Sequence, residues 1–258
     1  MYSALTSLRT LNVFSQLRAF TPFQTDLLKT LALAAMLADH VNAILLHYSS
    51  SLLYLTGRMA FPLFTLVWAA NLPDSAQKMQ RQAVRLWIWA FITQPVFWLA
   101  FMSSGQSWLV LNILFLFAGC TQLLAWQARY GTNGMMAGIA LLLLLAWPLT
   151  PSGCGLNSML FALMCVAGFR VALLSGSLLF MVVLLIALAA QQTYSSPTFP
   201  DNLTVTDTGM IALLLLPVAI GVVAVFPRKL FRRVWPRCFF YHADAGHLLL
   251  LGVLALHQ

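Results

Sequence analysis

From residue 27 onward, long apolar runs alternate with short polar turns, and the pattern persists to the end of the chain. Runs near 27–47, 52–71, 83–102, 108–127, 135–149, 155–169, 172–190, 209–227 and 238–256 predict an all-α integral membrane protein. The expected count is about nine transmembrane helices, eight to ten if the junctions are drawn differently. The fifth and sixth runs are short, which suits tilted helices or a re-entrant pair, and they meet at the break WPLTPSGCG over 147–155. Residues 1–25 are polar and are expected to form an N-terminal tail without a cleavable secretory signal. Residues 26–258 then read as a single polytopic membrane domain.

Composition agrees with that reading. Hydrophobic residues make up 61%, charged residues 8%, and mean hydropathy is +0.86, whereas globular proteins carry about 25% charged residues. The net charge of +8 takes its meaning from where it falls. Thirteen of the 14 Lys and Arg residues lie on one side of the nine-span pattern: Arg9, Arg18, Lys29, Lys78, Arg81, Arg85, Arg129, Arg170, Arg228, Lys229, Arg232, Arg233 and Arg237. The opposite turns, including HYSSS, SSGQS, TPSGCG and the long segment Gln191 to Thr208, carry none. The positive-inside rule then places the N-terminus in the cytoplasm and leaves no reason to invoke nucleic acid. Cys120, Cys154, Cys165 and Cys238 have no metal-ligand spacing, and no metal is expected.

The remaining basic residue, Arg58, lies inside the second run, as Asp39 and His40 lie inside the first. Charge at membrane depth is costly unless it is paired or faces a cavity, so these three residues are candidates for chemistry. Eleven helical residues amount to three turns plus roughly 20°, which puts Lys29 and His40 on one face about 16 Å apart. Met36 and His47 extend that stripe. Asp39 cannot face its own neighbour, and Arg58, placed at a similar depth of roughly 10–12 Å on the next helix, is its natural partner. Other polar residues fall within or at the start of spans. Gln94 precedes Pro95, whose ring loosens the third span; Asn112, Asn157 and His247 occupy the fourth, sixth and ninth. There is no Walker loop, dinucleotide fingerprint, nucleophile elbow or zincin motif.

Four blocks, LKTLALAAMLADH, GRMAFPLFTLVWAANL, LNILFLFAG and FFYHADAGHLLLLGVLAL, resemble the TraX family of conjugative plasmids. The likeness spreads over about residues 26–258. It implies a bacterial inner-membrane acetyltransferase that moves an acetyl group from acetyl-CoA to the N-terminal amine of an F-type pilin subunit. Lys29 and His40 also reproduce the basic-x10-His spacing of integral-membrane acyltransferases that use acyl-CoA. On this resemblance His40 is a general base or acyl carrier, and Lys29 a phosphate-attracting residue at the cytoplasmic entrance. Arg58 with Asp39 is expected to stabilise the oxyanion. Where the family ends in a compact FYPxHL or FYxxHL block, this chain reads FYHADAGHL. His247 matches by its following leucine and His242 by its preceding tyrosine; His247 is the expected counterpart. The alternatives from the residues alone are a transporter or channel, or a non-catalytic scaffold of a conjugation apparatus.

Overall fold

The computed structural model describes residues 13–171, 186, 205–226, 234–236 and 238–257. The seventh predicted span apart from residue 186, most of the segment 191–208, and Arg9, Arg228, Lys229, Arg232, Arg233 and Arg237 lie outside the described residues. The described residues form helices and no strands. In chain order they are α1 Val13–Arg18, α2 Pro22–Ile44, α3 Ser51–Gly57, α4 Ala60–Ala70, α5 Ala76–Phe101, α6 Ile113–Leu149, α7 Leu156–Arg170, α8 Val205–Val225 and α9 Phe239–Ala255.

Four segments are long and apolar enough to cross a membrane: Pro22–Ile44, Ser51–Ala70, Ala76–Phe101 and Ile113–Leu149. Three shorter apolar helices, Leu156–Arg170, Leu215–Val225 and Phe239–Ala255, accompany them. The described residues therefore establish an all-helical membrane protein without reaching the expected nine spans. Outward faces are apolar, with Leu144, Trp147 and Phe91 64–76% exposed, as lipid-facing helices require.

The fourth and fifth predicted spans occur as two arms of α6. At Gly131 the backbone adopts φ 60°, ψ −134°, a conformation open to glycine and strained for other residues. The chain doubles back there. Gly138 sits so close to Leu123 that an added Cβ would lie 2.7 Å from the Leu123 Cα, and Gly119 faces Leu142 and Leu145 in the same way. Further along, the Leu111 amide donates to the Pro148 carbonyl at 3.0 Å. These contacts pair residues on opposite sides of Gly131 in antiparallel register. Small residues also let α9 approach α5, where a Cβ on Gly252 would meet the Ala100 backbone at 3.0 Å.

Helix boundaries follow local chemistry. Thr21 and Gln24 form a reciprocal capping box, and Pro22 occupies the first turn of α2. That helix ends at Ile44, so His47, expected on the Lys29 stripe, instead lies in the following turn. Of the segment expected as a polar tail, Phe14, Leu17 and Gln24 are buried, whereas Arg18 and Ala19 are exposed. The Phe14 ring meets Phe169 edge-on at 4.9 Å.

Contacts sort the bundle into two ends. At one end, Lys29 lies over Phe240, Arg170 donates to the Pro73 carbonyl, and Gln80 pairs with Gln122. At the other, Ile44, Phe101, Val110 and Leu248 share a buried cluster. Gly138→Val should force the arms of α6 apart and cost about 1–3 kcal/mol, read as a lower melting temperature in detergent. An unchanged melting temperature would contradict the folded-back helix.

Candidate functional site

The site is built where α2 meets a break between α3 and α4. Were that helix continuous, the Pro62 ring would clash with the carbonyl of Arg58, four residues earlier. The helix accordingly stops at Gly57 and resumes at Ala60, leaving Arg58 and Met59 at the junction. The Arg58 Nη2 donates to both Asp39 carboxylate oxygens at 2.8 Å. Its guanidinium lies 4.7 Å from the centre of the Tyr54 ring. Any side chain at Gly57 would collide with the Cβ and carboxylate of Asp39. The expected pair thus forms, and a glycine beside Arg58 is what lets α2 come close enough.

Hydrogen bonds from Asn42 close the turn that joins these helices. His47 and Tyr48 both have positive φ, 47° and 61°. The Asn42 amide spans the reversal, donating to the Ser50 carbonyl at 2.9 Å and accepting from the Ser50 amide at 3.1 Å. Ser50 in turn caps α3.

His40 meets His247 across 207 positions of sequence, Nδ1 to Nε2 at 2.8 Å. The rings are nearly parallel, at 9°, and Phe101 meets His40 edge-on. His247 Nδ1 is 2.9 Å from the Ala243 carbonyl. A carbonyl can only accept, so His247 carries its proton on Nδ1. For two neutral rings its Nε2 must then accept from Nδ1–H of His40. That assignment leaves Nε2 of His40 as the unprotonated nitrogen. His242, the other C-terminal candidate, instead packs against Trp89 and bonds the Cys238 carbonyl.

His40 lines a cavity of about 110 Å³ with Asp39, Arg58, Phe97, Asn112 and Asp244. A second cavity of about 200 Å³ is lined by Lys29, Trp68, Asn71, Gln82, Tyr241 and Asp244. Met36, Phe64, Ile113 and Asp244 belong to both walls, so the two cavities adjoin between Lys29 and His40. Lys29 Nζ stands 4.0 Å from Asp26, whose carboxylate also accepts the Val234 amide at 3.1 Å.

Gln94 and Asn112 reach this region in a structural capacity. The stretch 105–112 runs back alongside the middle of α5, which places unpaired backbone inside the bundle. Gln94 answers by donating to the Val110 carbonyl at 2.7 Å and accepting from the Asn112 amide at 3.1 Å. Asn112 caps α6 and donates to the Ala90 carbonyl. Irregular backbone at this depth requires such partners. Asn157 lines neither cavity. Burial pushes the Cys154 thiol up to about 11, which keeps it protonated at neutral pH.

One residue of the site went unpredicted. Asp244 is 8% exposed and contributes to both cavities. Its signal in the sequence is that it is the sole carboxylate of the last apolar run.

The model of the TraX protein family matches residues 24–255. The chain belongs to the TraX family. Similar relatives include Protein TraX of Escherichia coli strain K12, 36% identical over 251 residues, covering 96% of this chain and 94% of the relative. A second Protein TraX from Escherichia coli is 35% identical over 240 residues, covering 92% and 89%. No solved structure matches the chain. In this TraX-family chain, every residue that lines the two cavities falls within the matched interval.

Removing one member of a buried ion pair strands the other. Asp39→Ala should therefore destabilise the protein by about 3–5 kcal/mol, whereas Asp39→Leu combined with Arg58→Met should recover most of the loss. Melting temperatures of the single and double variants check this; equal temperatures for Asp39→Ala and the wild type would contradict it.

Proposed function

We propose that this protein is an inner-membrane acetyltransferase that moves the acetyl group of acetyl-CoA to the N-terminal amine of a conjugative pilin. Membership of the TraX family and the resemblance described above support the acceptor and donor classes. The observation that carries the chemistry is the hydrogen-bond order at His40, which leaves Nε2 unprotonated on a side chain that lines a cavity adjoining the one beside Lys29.

The N-terminus and the basic end face the cytoplasm in this reading. Lys29 attracts the phosphates of the donor at the mouth of the second cavity, and the apolar walls of Trp68 and Phe117 accept its flexible arm. The thioester then reaches the junction by Met36 and Phe64. The acceptor enters from the opposite end.

His40 Nε2 takes the proton of the attacking amine as the C–N bond forms. The C–S bond breaks, and the same proton passes to the departing sulfur, giving an amide and a thiol. The N-terminal amine, with an ordinary pKa near 7.7–8, needs little assistance to attack. Arg58, balanced by Asp39, provides positive potential for the developing oxyanion without an uncompensated charge in the membrane. His247 positions the base: it fixes the tautomer of His40 and does not touch the reacting atoms.

His40→Gln and His40→Ala should lower the rate of acetylation by about 10²–10⁴ while leaving insertion intact. His247→Ala should cause a smaller loss. Intact-mass spectra of the pilin from cells carrying each variant measure this, and near-normal acetylated product from either His40 variant would refute the reading.

A further inference from the structure

Five titratable side chains line the cavity at His40: Asp39, His40, Arg58, Cys154 and Asp244. Asp39 and Arg58 are paired, His40 is bonded to His247, and Cys154 is a thiol, uncharged at neutral pH, with Ser152 beside it. Asp244 alone has no hydrogen-bond or ionic partner among the described residues, although more than nine-tenths of it is buried. A carboxylate so placed is costly in the membrane unless a cation joins it.

The protein's own cations near this point are committed elsewhere. Arg58 is held by Asp39, and Lys29 is drawn to Asp26 and the Phe240 ring. A metal ion is a poor fit. The described residues hold no cluster of three or more His, Cys, Asp or Glu side chains suited to one, and hard cations demand several oxygen ligands. The walls around Asp244 are instead Met36, Phe64, Ile113 and Leu248, a surface for an organic cation bearing apolar or small groups.

We infer that Asp244 is the acceptor's anchor, pairing with the α-ammonium group of the incoming N-terminus at the junction of the two cavities. The inference rests on the acetyl-transfer reading and names the residue that selects the acceptor. Asp244 lies one helical turn before His247 and lines the same cavity as His40, so an ammonium held there stands in the chamber of the base. The ammonium first gives up one proton through His40 to solvent. The free amine then attacks, the C–N bond forms, the C–S bond breaks and a second proton goes to sulfur. The sum consumes an ammonium and a thioester and yields an amide, a thiol and one proton. An N-terminus already acetylated carries no charge for Asp244 and leaves the site.

The test uses purified full-length protein in nanodiscs and two probes, a pilin N-terminal peptide with a free amine and the same peptide N-acetylated. Wild-type protein should bind the free-amine peptide more tightly. Asp244→Asn should erase that preference and raise the KM for the peptide about thirtyfold or more, with kcat and acetyl-CoA affinity little changed. Retention of the preference by Asp244→Asn would overturn the inference, as would a fall in kcat at constant KM. Loss of acetyl-CoA binding in Asp244→Asn and Asp244→Leu alike would assign Asp244 a structural role and also overturn it. Preference without turnover in the wild type would leave the anchor standing and sink the transferase reading instead.

Discussion

The rest of the site depends on one interaction, the ion pair that Arg58 makes with both carboxylate oxygens of Asp39. Neither group is tolerable alone among lipid-facing helices, and together they join the middle of α2 to a deliberate interruption of the second span. Pro62 causes the interruption and Gly57 removes the bulk that would keep the helices apart. With α2 fixed in this way, the next residue, His40, is turned toward α9 and meets His247.

From that contact follows the division of labour in the cavity. A backbone carbonyl sets the proton of His247, His247 sets the proton of His40, and the second nitrogen of His40 is left as an acceptor. The same face of α2 carries Met36 into the wall shared by both cavities and Lys29 into the far one. One helical stripe thus spans the interval from the basic end of the bundle to His40. In the acetyl-transfer reading, that geometry lets a donor and an acceptor approach from opposite ends and meet inside the protein.

Much of this was legible in the chain itself. Asp39, His40 and Arg58 stood out because charge inside an apolar run has so few acceptable explanations, and helical spacing alone set Lys29 and His40 on one face. The break between α3 and α4 was not legible in the same way, since the second run reads as one uninterrupted span. The pairing of His40 with His247 joins the first and last spans, and no local pattern encodes a contact of that range. Asp244 escaped for a related reason. Near the start of a span a carboxylate reads as interfacial, and here it is enclosed by residues far away in sequence, Met36, Phe64 and Ile113, that line both cavities with it. Gln94 and Asn112 stand out as polar residues within apolar runs, and what they do is satisfy the backbone around the returning segment 105–112.

The central claim is that His40 is held as a neutral imidazole with its proton on Nδ1 and an open Nε2. Nitrogen NMR of the purified protein, labelled at histidine and assigned by comparison with His40→Gln, observes this directly. The account predicts a protonated Nδ1 and an unprotonated Nε2 for His40, with the tautomers mixing once His247 is replaced by alanine. A His40 imidazolium, or a proton resident on Nε2 in the wild type, would contradict it.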